Sequence, residues 1–351
     1  MVALFMDTAL PLPLLKEVSS YADFSLTVRP FLGQLAALSA NIVAACSTDA
    51  PLVSLAQVYL TTNPLVSAFA LSLAFSVFFL LLSEATRNHS QVDRAWSMLP
   101  PIYVAHYALW ARGNGIPAPK VDNALVVAGV WGARLTFNFW RKGGYSSGGE
   151  DYRWEIIRGW WNAPTMFVFN VFFIALAQNV LLFLITTPVY LLLLVSRENP
   201  TMELPDIIFS RVLMGLILVE TFADQQQWNF QQAKKQYNAT AKVPLKYSRE
   251  DLDRGFVVSG LWAWSRHPNF AAEQAIWLVF YQWACYATQT FFNWTVAGAL
   301  GYLMLFQAST RFTEQLSAQK YPEYAEYQRL VGKFIPTFLG RGSEGKEEKR
   351  E

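Results

Sequence analysis

Long uncharged stretches alternate with short charged segments along this chain. The uncharged runs cover residues 30–48, 50–83, 95–111, 162–196, 212–219 and 274–310. A helix needs about 20 mostly apolar residues to cross the hydrocarbon core of a bilayer, and several of these runs are longer than that. The pattern therefore predicts an all-α fold, a multi-pass transmembrane helical bundle of about seven to nine helices.

The composition points to the same class of protein. Of 351 residues, 53% are apolar and 15% are charged, whereas about 25% are charged in ordinary soluble domains. The net charge of +2 comes without a basic stripe that carries aromatic residues, so no nucleic-acid partner is expected. Cys46 and Cys285 both lie in apolar runs, where cysteine behaves as a small hydrophobic residue. We therefore expect neither a disulfide framework nor a metal site.

Charged loops orient the predicted spans, because Lys and Arg stay on the cytoplasmic side of a membrane. Segments 141–158 and 234–254 and the region after Arg311 are basic, whereas segment 197–206 has one basic and three acidic residues. The basic segments are predicted to face the cytoplasm and segment 197–206 the lumen. The polar motifs described below then all face the cytoplasm.

Three segments follow from the distribution of apolar residues. Residues 1–60 are predicted to form an N-terminal segment with a first membrane helix, and residues 61–340 the main membrane domain. The tail 341–351 consists almost entirely of glycine and charged residues. It cannot bury enough apolar surface to order itself, so it is expected to be disordered.

Three polar groups precede or interrupt the spans in the first half of the chain. Asp93, next to Trp96, can act as an acid, a base or the partner of a cation, although a capped and solvated helix start explains the same residues. Arg134 lies inside a span, where an arginine is by default a functional candidate, unless it snorkels to the interface. Arg153 lies in a glycine-rich segment with two carboxylates and two aromatic residues, Gly148 to Trp154, which is a weak signal by itself.

Two further groups lie in the second half. On a helix, Glu220, Asp224 and Gln227 share one face, and carboxylates where a span meets water need cations or the donors of a ligand, such as a nicotinamide amide or a ribose. Polar residues from Arg266 to Glu273 form the other group. Its members offer a guanidinium fork for phosphate or carboxylate, an imidazole, an amide and a carboxylate. They are Arg266, His267, Asn269 and Glu273. Pro268 stops any incoming helix, so this segment is predicted to be a loop that opens a helix.

Taken in order, these motifs resemble a known family. The residues that carry the resemblance are Asn88, Asp93 and Trp96, then Arg134, then Glu150 to Arg153, then Glu220 and Asp224, then Ser265 to Phe270 with Glu273, and finally Tyr321 to Tyr324 and Phe334 to Pro336. The set resembles the DUF1295 group of the steroid 5-alpha-reductase superfamily. The resemblance implies a membrane reductase of the endoplasmic reticulum. Such an enzyme uses NADPH from the cytoplasmic side to saturate a carbon–carbon double bond conjugated to a carbonyl in a lipid.

The resemblance assigns roles to individual residues where this sequence matches the motifs of the reductases. Asp224 matches the acidic position that contacts the cofactor in the steroid reductases, and Asn269 and Glu273 match their Asn-aromatic-x-x-Glu motif. Arg311 is the substitute for an arginine that the reductases have before the final Tyr-Pro. The implied cofactor-binding set is Arg134, Arg153, Asp224, Arg266, His267, Asn269, Glu273 and Arg311.

The sequence departs from the reductase pattern at several positions. Phe306 and Thr310 stand where the reductases have Arg and His, and Glu314 stands where they have Tyr. Their proton-donating group has no clear counterpart here. The candidates for that catalytic role are Asp93, Tyr103 and Tyr107.

A second enzyme class shares the end signature. The segment from Arg266 to Asn269, with Glu314 and the Tyr321-Pro322 ending, also resembles the isoprenylcysteine carboxyl methyltransferases and related phospholipid methyltransferases. Those enzymes use S-adenosylmethionine, whose carboxylate an Arg-His pair could hold. The motifs from Asn88 to Asp224, which the methyltransferase pattern does not require, favour the reductase. A non-catalytic relative that kept the fold is the third reading.

Overall fold

The structure, a computed structural model, describes residues 10–146 and 148–336. In this part of the chain the regular elements are helices, and no strand is formed beyond one isolated bridge between Ser265 and Gly332. The all-α prediction is confirmed. The predicted tail 341–351 lies outside the described residues.

The α-helices are α1 Phe24–Thr27, α2 Gly33–Cys46, α3 Pro51–Thr61, α4 Pro64–Thr86, α5 Gln91–Ala95, α6 Leu99–Gly113, α7 Pro119–Arg141, α8 Tyr152–Trp160, α9 Ala163–Phe169, α10 Gln178–Leu184, α11 Thr187–Glu198, α12 Leu204–Thr240, α13 Arg249–Arg254, α14 Pro268–Ala287, α15 Val296–Lys320 and α16 Tyr324–Leu330. A π-helix, Asn170–Ala177, joins α9 to α10. Short 3₁₀-helices cover Val18–Ala22, Arg29–Phe31 and Gly260–Ala263.

Three helical stretches of the described chain have both the length and the apolar composition of a membrane span: Phe24–Cys46, Pro64–Thr86 and Ala163–Glu198. Helices α7, α12, α14 and α15 are also long, with 23, 37, 20 and 25 residues. Their polar and charged residues lower their hydropathy. The chain is thus a multi-pass membrane protein, and the number of seven to nine spans stays a prediction.

The chain divides into two compact units. Unit 1 comprises the chain up to Val212 together with Leu278–Tyr302, and unit 2 comprises Leu213–Trp277 together with the chain from Leu303 onward. Helices α12, α14 and α15 therefore each contribute residues to both units. The predicted segments 1–60 and 61–340 stay predictions.

A buried ion pair fixes the ends of several helices in unit 1. Lys120 at the start of α7 binds Asp206 at the start of α12, and the side chains are 4% and 2% exposed. Lys120 Nζ also donates to the carbonyl of Thr201 at 2.7 Å, and the indole of Trp283 donates to Asp206 Oδ1 at 2.7 Å. The backbone amide of Glu203 donates to Asp206 Oδ2 at 2.9 Å. Because both charges have several partners, the pair holds α7, α12 and α14 together within unit 1.

Helix α7 also packs very closely at Gly132. A Cβ atom at this position would lie 2.6 Å from the carbonyl oxygen of Ser97 and 2.7 Å from the ring of Pro101. Only glycine allows this approach of α7 to Ser97 and Pro101.

Unit 2 has two small apolar clusters that hold its polar loop in place. One contains Phe230, Leu252, Val257 and Trp262 with Ala233. The other contains Phe256, Tyr324 and Tyr327. The short helix α13 between them begins with a capping box formed by Ser248 and Asp251. Aromatic packing, more than aliphatic packing, thus fixes the C-terminal helix α16 in this unit.

We expect Asp206→Asn to lower the free energy of unfolding by about 3–5 kcal/mol, because it leaves the Lys120 charge buried without its counter-charge. The matched control is Asp122→Asn, which breaks the exposed pair between Arg112 and Asp122, with side chains 55% and 47% exposed. That change should cost at most about 1 kcal/mol. Thermal unfolding of both variants in detergent, followed by tryptophan fluorescence, measures the difference. Equal melting temperatures would show that the buried pair is not a major contact.

Candidate functional site

Arg266, in the loop before α14, is bound by a carboxylate of unit 2. Its Nε and Nη2 donate to the two oxygens of Glu314 on α15 at 2.7 and 3.1 Å. Its Nη1 donates to the carbonyl of Gln328 at 3.0 Å and to that of Val331, at the end of α16. Both side chains of the ion pair are under 10% exposed. Arg266 therefore joins α14, α15 and α16, and most of its donors bind protein acceptors.

Glu314 is the acceptor on which this loop converges. The ring nitrogen Nε2 of His267 lies 2.9 Å from Glu314 Oε1, and Gln328 Nε2 donates to Oε2 at 3.1 Å. Burial alone would raise the pKa of Glu314, but the hydrogen bonds and charges of His267 and Arg266 lower it to about 2. The carboxylate is therefore ionised at any physiological pH.

The end of the described chain runs alongside this loop. The backbone amides of Arg266 and His267 donate to the carbonyls of Gly332 and Lys333 at 2.9 and 3.1 Å. The hydroxyl of Ser265 donates to the carbonyl of Lys333 at 3.1 Å. Hydrogen bonds thus join the segment around Arg266 to the segment that leads into Phe334.

Asn269 connects the start of α14 to the acidic face of α12. Its Nδ2 donates to Asp224 Oδ1 at 3.0 Å, while its Oδ1 accepts from the backbone amide of Phe270 at 3.0 Å. Helix α14 begins at Pro268, as predicted, because proline suits the first helical position. The loop therefore presents the Asn269 amide directly to the carboxylate of Asp224.

The loop segment before Arg266 also rests on α12. The side-chain oxygen of Gln226 accepts from the amide of Leu261 at 2.9 Å, and the indole of Trp262 donates to the carbonyl of Ala223 at 3.1 Å. Gly260 has φ +65°, and a Cβ there would lie 2.6 Å from the Gln226 side chain. Only glycine combines that backbone conformation with this contact.

Two more buried carboxylates extend the acidic face in unit 2. Glu220 lies one helical turn before Asp224 on α12 and Glu273 one turn after Asn269 on α14, and both residues are 4% exposed. The indole of Trp277 donates to Glu273 Oε1 at 3.0 Å. By helical periodicity, Glu220 shares a face of α12 with Asp224, and Glu273 shares a face of α14 with Asn269.

A basic pair lies on the outer face of α15. Lys333 Nζ is 3.4 Å from Gln307 Oε1. Arg311 is exposed and lies one turn after Gln307 on the same helix face. This places two cationic side chains near each other in unit 2. Lys333 was not among the residues predicted from the sequence.

In unit 1, two of the sequence motifs bind each other. Asn88 Nδ2 and Arg94 Nη2 both donate to the carbonyl of Gly149 at 2.9 Å. The backbone amide of His89 donates to Glu150 Oε1 at 2.8 Å, and that of Asp151 donates to the hydroxyl of Ser90 at 2.8 Å. The segment before α5 and the glycine-rich segment before α8 thus form one hydrogen-bonded module.

Asp93 and Arg153 lie within this module. The indole of Trp154 donates to Asp93 Oδ2 at 2.7 Å. Burial raises the pKa of Asp93, although the nearby charge of Arg153 and the Trp154 hydrogen bond oppose that rise. Arg153 itself forms a two-point contact with Asp151, at 2.9 Å for both Nε and Nη2. Asp93 is therefore a carboxyl that retains a proton more readily than an exposed aspartate does.

The remaining candidates of the first half lie on the long helices of unit 1. Arg134 is half-buried on α7. Tyr103 and Tyr107 are fully buried on α6. The structure thus groups Asp93, Tyr103, Tyr107, Arg134 and Arg153 in unit 1, and the other candidates in unit 2.

Sequence reasoning missed the partners that come from distant segments. Glu314 is 48 residues from Arg266, and Trp154 is 61 residues from Asp93. The only signal for Glu314 was its position in the C-terminal signature that follows the apolar run ending at Thr310. The pairing of Asp224 and Asn269 joins residues 45 positions apart and was likewise not predicted.

We expect Glu314→Gln to lower the free energy of unfolding at neutral pH by about 3 kcal/mol, since it leaves Arg266 buried without a counter-charge. The carboxylate has a folded pKa of about 2 and an unfolded pKa of about 4.3. Its contribution is therefore complete above about pH 4.3 and is lost as the pH falls toward 2. Melting temperatures between pH 2.5 and 7 should fall less steeply in Glu314→Gln than in the wild type.

The matched control for this change is Glu326→Gln on the exposed face of α16. It should keep the wild-type pH profile. A Glu314→Gln profile parallel to that of the wild type would mean that Glu314 does not carry the acid sensitivity.

Comparison with known proteins assigns the family. A family model described as "Protein of unknown function (DUF1295)" matches residues 78–331, which include the motif residues from Asn88 to Tyr324. A relative from Schizosaccharomyces pombe, "Uncharacterized protein C594.04c", is 37% identical over 340 residues, covering 95% of this chain and 96% of the relative. No solved structure matches the chain. This membrane-spanning helical protein belongs to the DUF1295 family.

Proposed function

We propose that this protein is a membrane-embedded reductase that uses NADPH to saturate a conjugated carbon–carbon double bond of a lipid. The observation that carries the proposal is the Asn269–Asp224 contact in unit 2, with Glu220 and Glu273 buried one helical turn away on the same helices. Amide and carboxylate oxygens in a buried setting suit the carboxamide and ribose hydroxyl groups of a nicotinamide nucleotide. Membership of the DUF1295 family and its resemblance to steroid reductases support the same reaction class.

The cationic residues of unit 2 that could bind the phosphates of a nucleotide differ from those predicted. Arg266 was predicted to hold a phosphate, but its guanidinium binds Glu314 and two backbone carbonyls. We propose that Arg266 and His267 are positioning residues, which hold the loop so that Asn269 meets Asp224. The exposed Arg311 and the half-buried Lys333 would then hold phosphate groups, since both are cationic.

The reaction needs a hydride, which NADPH supplies when bound. The residues of this chain would orient the nucleotide in unit 2 and would provide a proton. For the proton, Asp93 is a candidate carried over from the sequence resemblance, and Trp154 fixes its position within unit 1. An enone reduction requires a proton at the α-carbon after hydride addition at the β-carbon, and a general acid supplies it. Tyr103 and Tyr107 remain candidates for the same role.

The cellular setting is also part of the proposal. The basic segments between Lys234 and Arg254 and after Arg311 favour a cytoplasmic orientation of the unit 2 site. NADPH is a water-soluble anion, so a cytoplasmic orientation gives it access. The family resemblance supports the endoplasmic reticulum as the membrane.

A methyltransferase that uses S-adenosylmethionine is the second candidate. It is favoured by one observation, namely that Arg266, His267 and Glu314, which belong to the signature shared with those enzymes, form one contact group. The contacts of Arg266 argue against a methyltransferase. Its guanidinium already binds Glu314 and therefore has few donors left for the carboxylate of S-adenosylmethionine.

Ligand binding separates these candidates. The purified protein in detergent should show a higher melting temperature with NADPH at millimolar concentration and no shift with S-adenosylmethionine, because a ligand that binds only the folded state stabilises it. Asp224→Asn should abolish the NADPH shift. The matched control, Asp253→Asn on exposed α13, should retain it.

Each alternative outcome has a definite meaning in this experiment. A shift with S-adenosylmethionine alone would replace the reductase by the methyltransferase. Stability unaffected by either ligand would favour the non-catalytic relative. An NADPH shift that survives Asp224→Asn would place the nucleotide elsewhere.

A further inference from the structure

Two tyrosines on α6 place their hydroxyl groups inside unit 1. Tyr103 and Tyr107 lie one turn apart, and each is 0% exposed. Among the residues that the structure describes, the hydroxyl of Tyr103 has no hydrogen-bond partner, whereas that of Tyr107 lies near the side chain of Thr186. The neighbouring His106 is fully satisfied. His106 binds Tyr59, Ser67 and the carbonyl of Pro64 through its two ring nitrogens.

The element that faces Tyr103 contains an irregular helix. The rings of Tyr103 and Phe183, on α10, meet edge to face at 5.9 Å. Asn179 lies one turn before Phe183 on the same face of α10 and is 0% exposed. A π-helix, Asn170–Ala177, leads directly into this turn. Such segments are rare and occur frequently at functional sites.

The side-chain amide of Asn179 has a hydrogen-bond partner for its nitrogen but none for its oxygen. Its Nδ2 donates to the carbonyl of Ala175 at 2.7 Å. In the described part of the chain its Oδ1 is buried without a partner, as is the side-chain oxygen of the adjacent Gln178. Two phenol donors and an amide acceptor are therefore present on facing elements of unit 1.

The chemistry of these groups indicates what they bind. Buried polar atoms without partners are costly, so a polar group is expected between them. Residues 163–196 and 95–111 contain no Asp, Glu, Lys or Arg. An anionic or cationic ligand would thus find no counter-charge on these elements. A hydroxyl group suits the set, because its oxygen accepts from a phenol while its proton is donated to an amide oxygen.

We propose that unit 1 binds the hydroxyl group of an uncharged lipid alcohol between α6 and the π-helix with α10. Tyr103 donates to the lipid oxygen, and Asn179 Oδ1 accepts a hydrogen bond from the lipid hydroxyl. The surrounding apolar helices accommodate the lipid chain. This site needs no NADPH, so the reductase proposal and this one succeed or fail separately.

Photolabelling of the full-length protein without nucleotide tests the site. The probes are a diazirine-bearing hexadecanol and its methyl ether, which keeps the oxygen but has no proton to donate to Asn179. A diazirine-bearing sterol and its methyl ether form a second arm, which distinguishes a sterol from a straight-chain alcohol. Mass spectrometry of the peptides locates the adducts. Adducts of one or both alcohols are expected on residues 99–113 and 170–190.

The alcohols should label these peptides about fivefold more than the ethers, as expected for one lost hydrogen bond. Tyr103→Phe should reduce labelling by a similar factor. Tyr286→Phe, which removes the hydroxyl of a tyrosine that is 47% exposed, should not. Equal labelling by alcohol and ether in both arms would mean that water fills the site and would overturn the proposal, and so would adducts confined to other peptides. The probe comparison in the wild type holds even if Tyr103→Phe fails to fold.

Discussion

A buried carboxylate needs enough donors to remain charged, and in unit 2 Glu314 receives them from Arg266, His267 and Gln328. The donors come from different segments, so the carboxylate ties together the loop before α14, helix α15 and helix α16. The position of Asn269 depends on this arrangement, because it follows His267 after a single proline. The contact between Asn269 and Asp224 thus depends on the Arg266–Glu314 ion pair, which positions Asn269, as well as on α12, which carries Asp224.

The same principle operates in unit 1 with other residues. Lys120 and Asp206 share several partners at the starts of α7 and α12. The segment around Asp93 is fixed by the glycine-rich segment that carries Trp154. In an apolar chain the few buried charges must be paired, and these pairs determine which helices meet. Fully paired charges stabilise the fold, whereas incompletely satisfied polar groups mark positions where a ligand is expected.

The sequence predicted the features that depend on neighbouring residues. The apolar runs predicted helices, Pro268 predicted the start of α14, and helical spacing predicted the acidic face that includes Asp224. Composition alone did not define the number of spans, because α12 and α15 mix apolar and charged turns.

Contacts between distant segments were beyond the reach of sequence reasoning. The donors of Arg266 matched a phosphate as well as they matched Glu314, and only the fold shows which acceptor they meet. The same holds for Tyr103 and Tyr107, whose burial follows from the packing of α6 against α10 and not from their local pattern. Residue type restricts the partner to a chemical class, and tertiary structure selects the partner.

Hydrogen–deuterium exchange with and without NADPH tests the central claim, that the loop held by Glu314 forms a nucleotide site with Asp224. We expect slower exchange with NADPH in peptides covering residues 220–228, 255–273 and 310–316 of the wild type, and no such change in Asp224→Asn. Unchanged exchange in these peptides, with protection only in other parts of the chain, would contradict it.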